Sequence, residues 1–150
     1  MGKKTEEMMT GLETALVQWQ TLGRNFSIKA ATLPPAVKLR DEKKAASQKY
    51  YESRGWHRNT AGREEAMVAD PVFQRLEKEW EDAFAKEQQI SNALEGIKPH
   101  MRAARLKVVE LLTAFEKFIN EKDKSINPLK KKSVPAAREL IKKVRAALPS

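Results

Sequence analysis

The chain has 150 residues, 41% hydrophobic and 33% charged, with a formal net charge of +9 and no cysteine. That length can bury a real core within one domain, and the absent cysteine excludes disulfides, thiolate metal sites and cysteine nucleophiles. No apolar run approaches the roughly 20 residues that cross a bilayer, and the lysines before Thr10 precede no apolar leader segment, so a cytoplasmic location without membrane insertion is expected. Met1 and Gly2 do not read as a myristoylation signal, because Glu6 stands where that motif takes serine or threonine.

Helical periodicity dominates, and no strand-like alternation is long enough for a sheet. The expected fold is all-α: a single-domain helical bundle, residues 1–150, of about five helices around a central antiparallel helical hairpin.

Leu12, Leu16, Trp19, Leu22, Phe26 and Leu33 hold helical spacing nearly to Pro34. They predict one long first helix, opened at Thr5 or at Thr10 with a Thr10–Glu13 capping box and weakened near Gly23 to Asn25. Pro34 and Pro35 end it, and Pro35 is placed to begin a second helix, about Pro35 to Ser53. From Lys38 to Lys49 that helix offers only Leu39, Ala45 and Ala46 as apolar groups, so it has little to bury. Tyr50 and Tyr51 close it with aromatic mass. The segment 54–63, RGWHRNTAGR, is expected to be an exposed loop, with Trp56 destined for the bundle edge, a protein interface or a nucleic acid. A short helical turn follows from Glu64 to Ala69.

The hairpin is expected next, with arms at about 71–95 and 99–122. Asp70 followed by Pro71 marks its start. The first arm aligns Phe73, Leu76, Trp80, Ala83, Ile90 and Leu94, and Gly96 supplies a C-terminal cap. The second opens at Pro99 and aligns Met101, Ala104, Val108, Leu111, Phe115 and Phe118, broadened by Val109, Leu112 and Ile119. Glu87 occupies an apolar position of the first arm. Folding about residues 96–98 brings Arg105 near it, which suggests a cross-hairpin ion pair, against the alternative that both side chains reach solvent along the helix edge. Residues 123–133 read as a basic linker ending in Lys130, Lys131 and Lys132. A last helix carries Ala137, Leu140, Ile141, Val144 and Leu148 on one face and Arg138, Lys142, Lys143 and Arg145 on the other.

Catalytic groupings are thin. His57 and His100 are the only histidines; neither forms an HExxH or Glu-x-x-His spacing. Gly55 and Gly62 lack the Lys-Ser/Thr of a phosphate loop. The pairs Glu64–Glu65 and Glu81–Asp82 are adjacent, so their side chains diverge on a helix. No catalytic, cofactor or metal site is expected, and the chain reads as a non-enzyme.

Charge is unevenly distributed: residues 36–63 hold eight basic and three acidic groups, 64–96 three and nine, and 97–150 fourteen and five. Part of the positive excess therefore answers acid within the fold, which weakens any inference from net charge to a polyanionic partner. The leading expectation is a protein-interaction module of adaptor, chaperone-like or assembly type, contacting another protein through the 35–63 helix and loop with Tyr50, Tyr51, Arg54, Trp56 and Arg58; such a surface is also compatible with a homo-oligomer. The alternative is sequence-nonspecific nucleic-acid binding through Arg54, Arg58, Arg63, Lys130, Lys131, Lys132, Lys142, Lys143 and Arg145. A membrane-surface role for the last helix ranks behind both, since its apolar face has no aromatic residue.

Overall fold

A computed structural model describes residues 2–129 and 131–148. Four long helices, one short helix and a 3₁₀ turn follow in order: α1 (Lys3–Ala30), α2 (Leu33–Ser53), the turn Trp56–Arg58, α3 (Arg63–Ala69), α4 (Pro71–Asp123) and α5 (Val134–Ala147). The fold is all-α, and no strand occurs among the described residues.

The expected hairpin is not there. α4 runs unbroken for 53 residues with Pro99 inside it, and Gly96 is not in the left-handed conformation that a cap requires. The physical reason lies in the apolar stripe. Leu94, Ile97, Met101, Ala104 and Val108 continue the alternating three- and four-residue spacing straight through the glycine and proline, so both arms present one continuous face. Proline removes one backbone donor and crowds the preceding turn, a local cost set against burial along the rest of the helix.

Glu87 is indeed buried, but its partner is Arg40 of α2 rather than Arg105, and Arg105 itself is exposed. The start of α1 also differs from expectation. Thr10 lies exposed inside the helix, which begins at Lys3, while Thr5 is fully buried and its hydroxyl accepts from Lys122 Nζ at 2.9 Å. A Thr-x-x-Glu spacing fits a helix interior as well as a cap. At the start of α4 the reading holds: Asp70 Oδ1 accepts from the Val72 and Phe73 backbone N–H groups at 2.9 and 3.1 Å.

The chain forms two compact units, one of residues 1–25 and 97–150 and one of residues 26–96. In the first, α1 supplies Leu12, Ala15 and Leu16, α4 supplies Val108, Leu112, Phe115 and Ile119, and α5 supplies Val134, Ala137, Leu140, Ile141 and Val144 to one apolar cluster. Each large side chain there is worth about 1.5–3 kcal/mol of burial. The expected stripe of α5 is what docks it.

The second unit contains α2, α3 and the first half of α4. Its apolar cluster is small: Ala36, Ile90 and Leu94, flanked by Phe26, Ala30 and Leu33. α2 begins at Leu33, two residues before the expected Pro35, with both prolines in its first turn, and the poverty of its apolar face is borne out, since only Ala36 and Ser47 are buried along it.

Candidate interaction surface

Within the 26–96 unit, α2 meets α4 through the small Ala36–Ile90–Leu94 cluster at one end and, along most of its length, through side chains that bond across the pair. Arg40 Nη1 donates to both Glu87 oxygens, at 2.8 and 2.6 Å, while its Nε and Nη2 reach Asp41 Oδ1 at 3.2 and 3.0 Å. Bonding to Asp41 and the charges of both carboxylates hold Arg40 above its ordinary pKa. Lys43 meets Glu79 at 3.4 Å, Ser47 donates to Glu77, and the Tyr50 hydroxyl donates to Asp70 Oδ2 at 2.6 Å. Partner numbers fall on α4 as they rise on α2, so the pair is antiparallel. Spacings of four and three along Ala36, Arg40, Lys43, Ser47, Tyr50 and Arg54 mark a helix seam written in small and polar residues.

An aromatic group closes one end of this seam. The Trp56 ring lies 5.1 Å from Phe73, 5.9 Å from Tyr50 and 6.0 Å from Tyr51, each edge to face, and it is 5% exposed. Gly55 and Gly62 adopt left-handed φ values of 75° and 80° that free them to turn the chain on either side of Trp56. Arg63 Nη1 donates to the Tyr51 hydroxyl and the Trp56 carbonyl, both at 3.3 Å. Arg54 stands 5.9 Å over the Trp56 ring and 3.8 Å from Asp70. The bond to Asp70, with burial and the carboxylate charge, raises the Tyr50 pKa against the pull of Arg54. That same bond, then the Phe73 and Val72 N–H groups and Arg54, lower the Asp70 pKa against burial.

Of the residues expected at a protein interface, Trp56 is thus enclosed, Tyr50 and Tyr51 are half-buried around it, and Arg54 and Arg58 are exposed. The basic residues separate into two groups. Arg54, Arg58 and Arg63 belong to the 26–96 unit, and Arg63 is turned inward onto Tyr51 and Trp56. Lys131, Lys132, Lys142 and Lys143 are exposed in the other unit, where Arg145 pairs with Glu116. Lys130 lies outside the described residues.

Sequence reasoning missed a groove. Because Ala36 and Ala83 are small, the two helices leave a cleft along one side of the seam, floored by these alanines and walled by Pro35, Leu39 and Ile90. It continues past Leu39 and Ala83 toward Lys43, Glu79 and Asp82. Lys29 lines it beside the α1–α2 turn, and Lys86 lines it midway, where its two stretches meet. Leu39 is 38% exposed there. The signal that could have found this cleft was alanine at Ala36 and Ala83, where a helix pair fastened by hydrocarbon would carry leucine. A second missed feature is Phe84, 43% exposed and 6.2 Å from the Trp80 ring on the same helix.

Among the described residues no cluster of three or more histidine, aspartate or glutamate side chains could hold a metal ion, and no helix is long and apolar enough to cross a membrane. No protein-family model matches the sequence, and no curated protein and no solved structure matches it either.

Proposed function

We propose that this chain is a non-enzymatic protein-interaction module, and that the groove between α2 and α4 takes an amphipathic helix of another protein. The groove itself carries the reading: alanines on its floor let a third helix approach closely, Leu39 offers an apolar contact, and Ile90 closes the wall. Lys29 and Lys86 along it favour a partner helix with acidic residues facing them. Arg54 and Arg58 add exposed cationic contacts beyond the far end of α2. The seam below needs no partner to satisfy its polar groups, so an occupant would add contacts without displacing any.

Leu39→Glu tests this. Leu39 is partly solvated, so melting should change little, while proteins retained specifically by the wild-type chain should be lost from the variant on affinity purification. Retention of the same proteins by both, at equal salt, overturns the assignment of the groove.

A further inference from the structure

The loop joining α4 to α5 carries the two most exposed large apolar side chains among the described residues, Ile126 at 99% and Leu129 at 80%. They are not displayed by a slack chain. The Asn127 N–H donates to Ser125 Oγ at 3.2 Å and the Leu129 N–H to Asn127 Oδ1 at 3.0 Å. The Lys131 and Lys132 N–H groups then close turns onto the Pro128 and Leu129 carbonyls at 3.2 and 3.5 Å. Buried Ser133 and Val134 tie the end of the loop to the core. Folding therefore holds two branched aliphatic groups in water, where each is unfavourable by the free energy of its hydration.

Their surroundings are cationic. Lys124, Lys131 and Lys132 are exposed beside them, Lys130 adds another charge in sequence, and Asp123 is engaged by Arg138 at 3.5 Å. A nucleic acid would answer the lysines, but stacking on splayed bases takes flat rings, and this loop has none. An anionic bilayer surface answers both features, since aliphatic tips enter the boundary below the headgroups while ammonium groups stay among the phosphates.

We propose that the loop between α4 and α5 docks this protein on anionic lipid surfaces, with Ile126 and Leu129 inserted at the interface and Lys124, Lys131 and Lys132 on the headgroups. This is peripheral binding, separate from the groove and independent of it. The test is co-sedimentation with phosphatidylserine-containing vesicles and with pure phosphatidylcholine vesicles, at low and high salt. In parallel, because the chain has no cysteine, Pro128→Cys, at an exposed position whose side chain makes none of the loop's bonds, carries a single polarity-sensitive dye.

The expected result is binding to the anionic vesicles, release by salt, and a blue shift of the dye on binding. Ile126→Ser with Leu129→Ser should lower the partition coefficient at least about tenfold, and Lys131→Ser with Lys132→Ser should do so by about thirtyfold. Circular dichroism melts of these variants should match wild type because all four side chains are exposed; the salt release and dye shift are read on chains that keep all four. The proposal is overturned by no binding to anionic vesicles at low salt, by equal binding to neutral ones, or by binding that survives loss of both aliphatic groups. Binding to a DNA duplex or to an acidic protein, with no dye shift on vesicles, overturns it as well.

Discussion

The two units solve the same problem, holding a helix to α4, with opposite materials. In residues 1–25 and 97–150, twelve buried residues from three helices make one apolar cluster. In residues 26–96, only three buried residues form such a cluster, and α2 is fastened by Arg40, Lys43 and Ser47 bonding to acids of α4 and by Tyr50 bonding to Asp70 at its cap. Apolar burial is non-directional and tolerates sliding, whereas hydrogen-bonded pairs fix register but return little net free energy. A helix held by bonds can also leave small residues between them, and that is why the groove lies on the polar side of this comparison.

The largest effect should come from emptying the apolar cluster. Phe115→Ala, at a fully buried position, is expected to destabilise its unit by about 3–5 kcal/mol in urea unfolding. Trp56→Ala, the corresponding truncation in the aromatic group, should lose about 3 kcal/mol, with faster amide exchange in α2 and α3 while exchange in α5 is unchanged. Uniform acceleration across α5 and α2 would break the comparison, because the two units would then unfold as one.

A smaller effect is expected from the seam. Glu87→Leu should cost about 1–2 kcal/mol, since it strips a charge-assisted pair from Arg40, which stays partly solvated and keeps Asp41. Adding Arg40→Leu should recover part of that loss, and the coupling between the two substitutions measures the bond. A stability gain from Glu87→Leu alone would show that the seam specifies register without stabilising it.

The smallest effect is a pH dependence confined to the Tyr50–Asp70 bond. The Asp70 pKa is lowered from 3.8, so its contribution is present above that value and fades as pH falls toward the folded-state pKa. Tyr50 is raised from 10.0, so its contribution is present below that value and is lost as pH climbs through the folded-state pKa. Stability should therefore sag at both edges of the range. Tyr50→Phe, which retains the ring but not the hydroxyl, should flatten the alkaline edge and soften the acidic one in thermal melts across pH.

How much of this was legible depended on which signal was read. The all-α class, the stripe of α5, the proline start of α2 and the Asp70 cap were plain because each is local. Gly96 and Pro99 suggest a break that α4 does not contain, because the phase of the stripe, uninterrupted from Leu94 through Ile97 to Met101, outweighs two residue types. The seam of α2 was overlooked for a different reason: periodicity was counted in apolar residues alone, while the repeat there is carried by arginine, lysine, serine and tyrosine. Glu87 was correctly marked as out of place, yet its partner comes from a separate helix, 47 residues away in sequence, and no spacing rule reaches that far. Trp56 could be placed only once Phe73 and the two tyrosines were known to surround it.

The nesting of one unit within the other's sequence sets an order of events during synthesis. Residues 26–96 are contiguous and can be completed as soon as they leave the ribosome. Leu12 and Leu16, made earlier, must wait for Val108, Phe115 and the whole of α5 before their cluster exists. At about 5–20 residues per second, the apolar face of α1 spends several seconds in water after it is made, an interval in which a nascent-chain chaperone would find it.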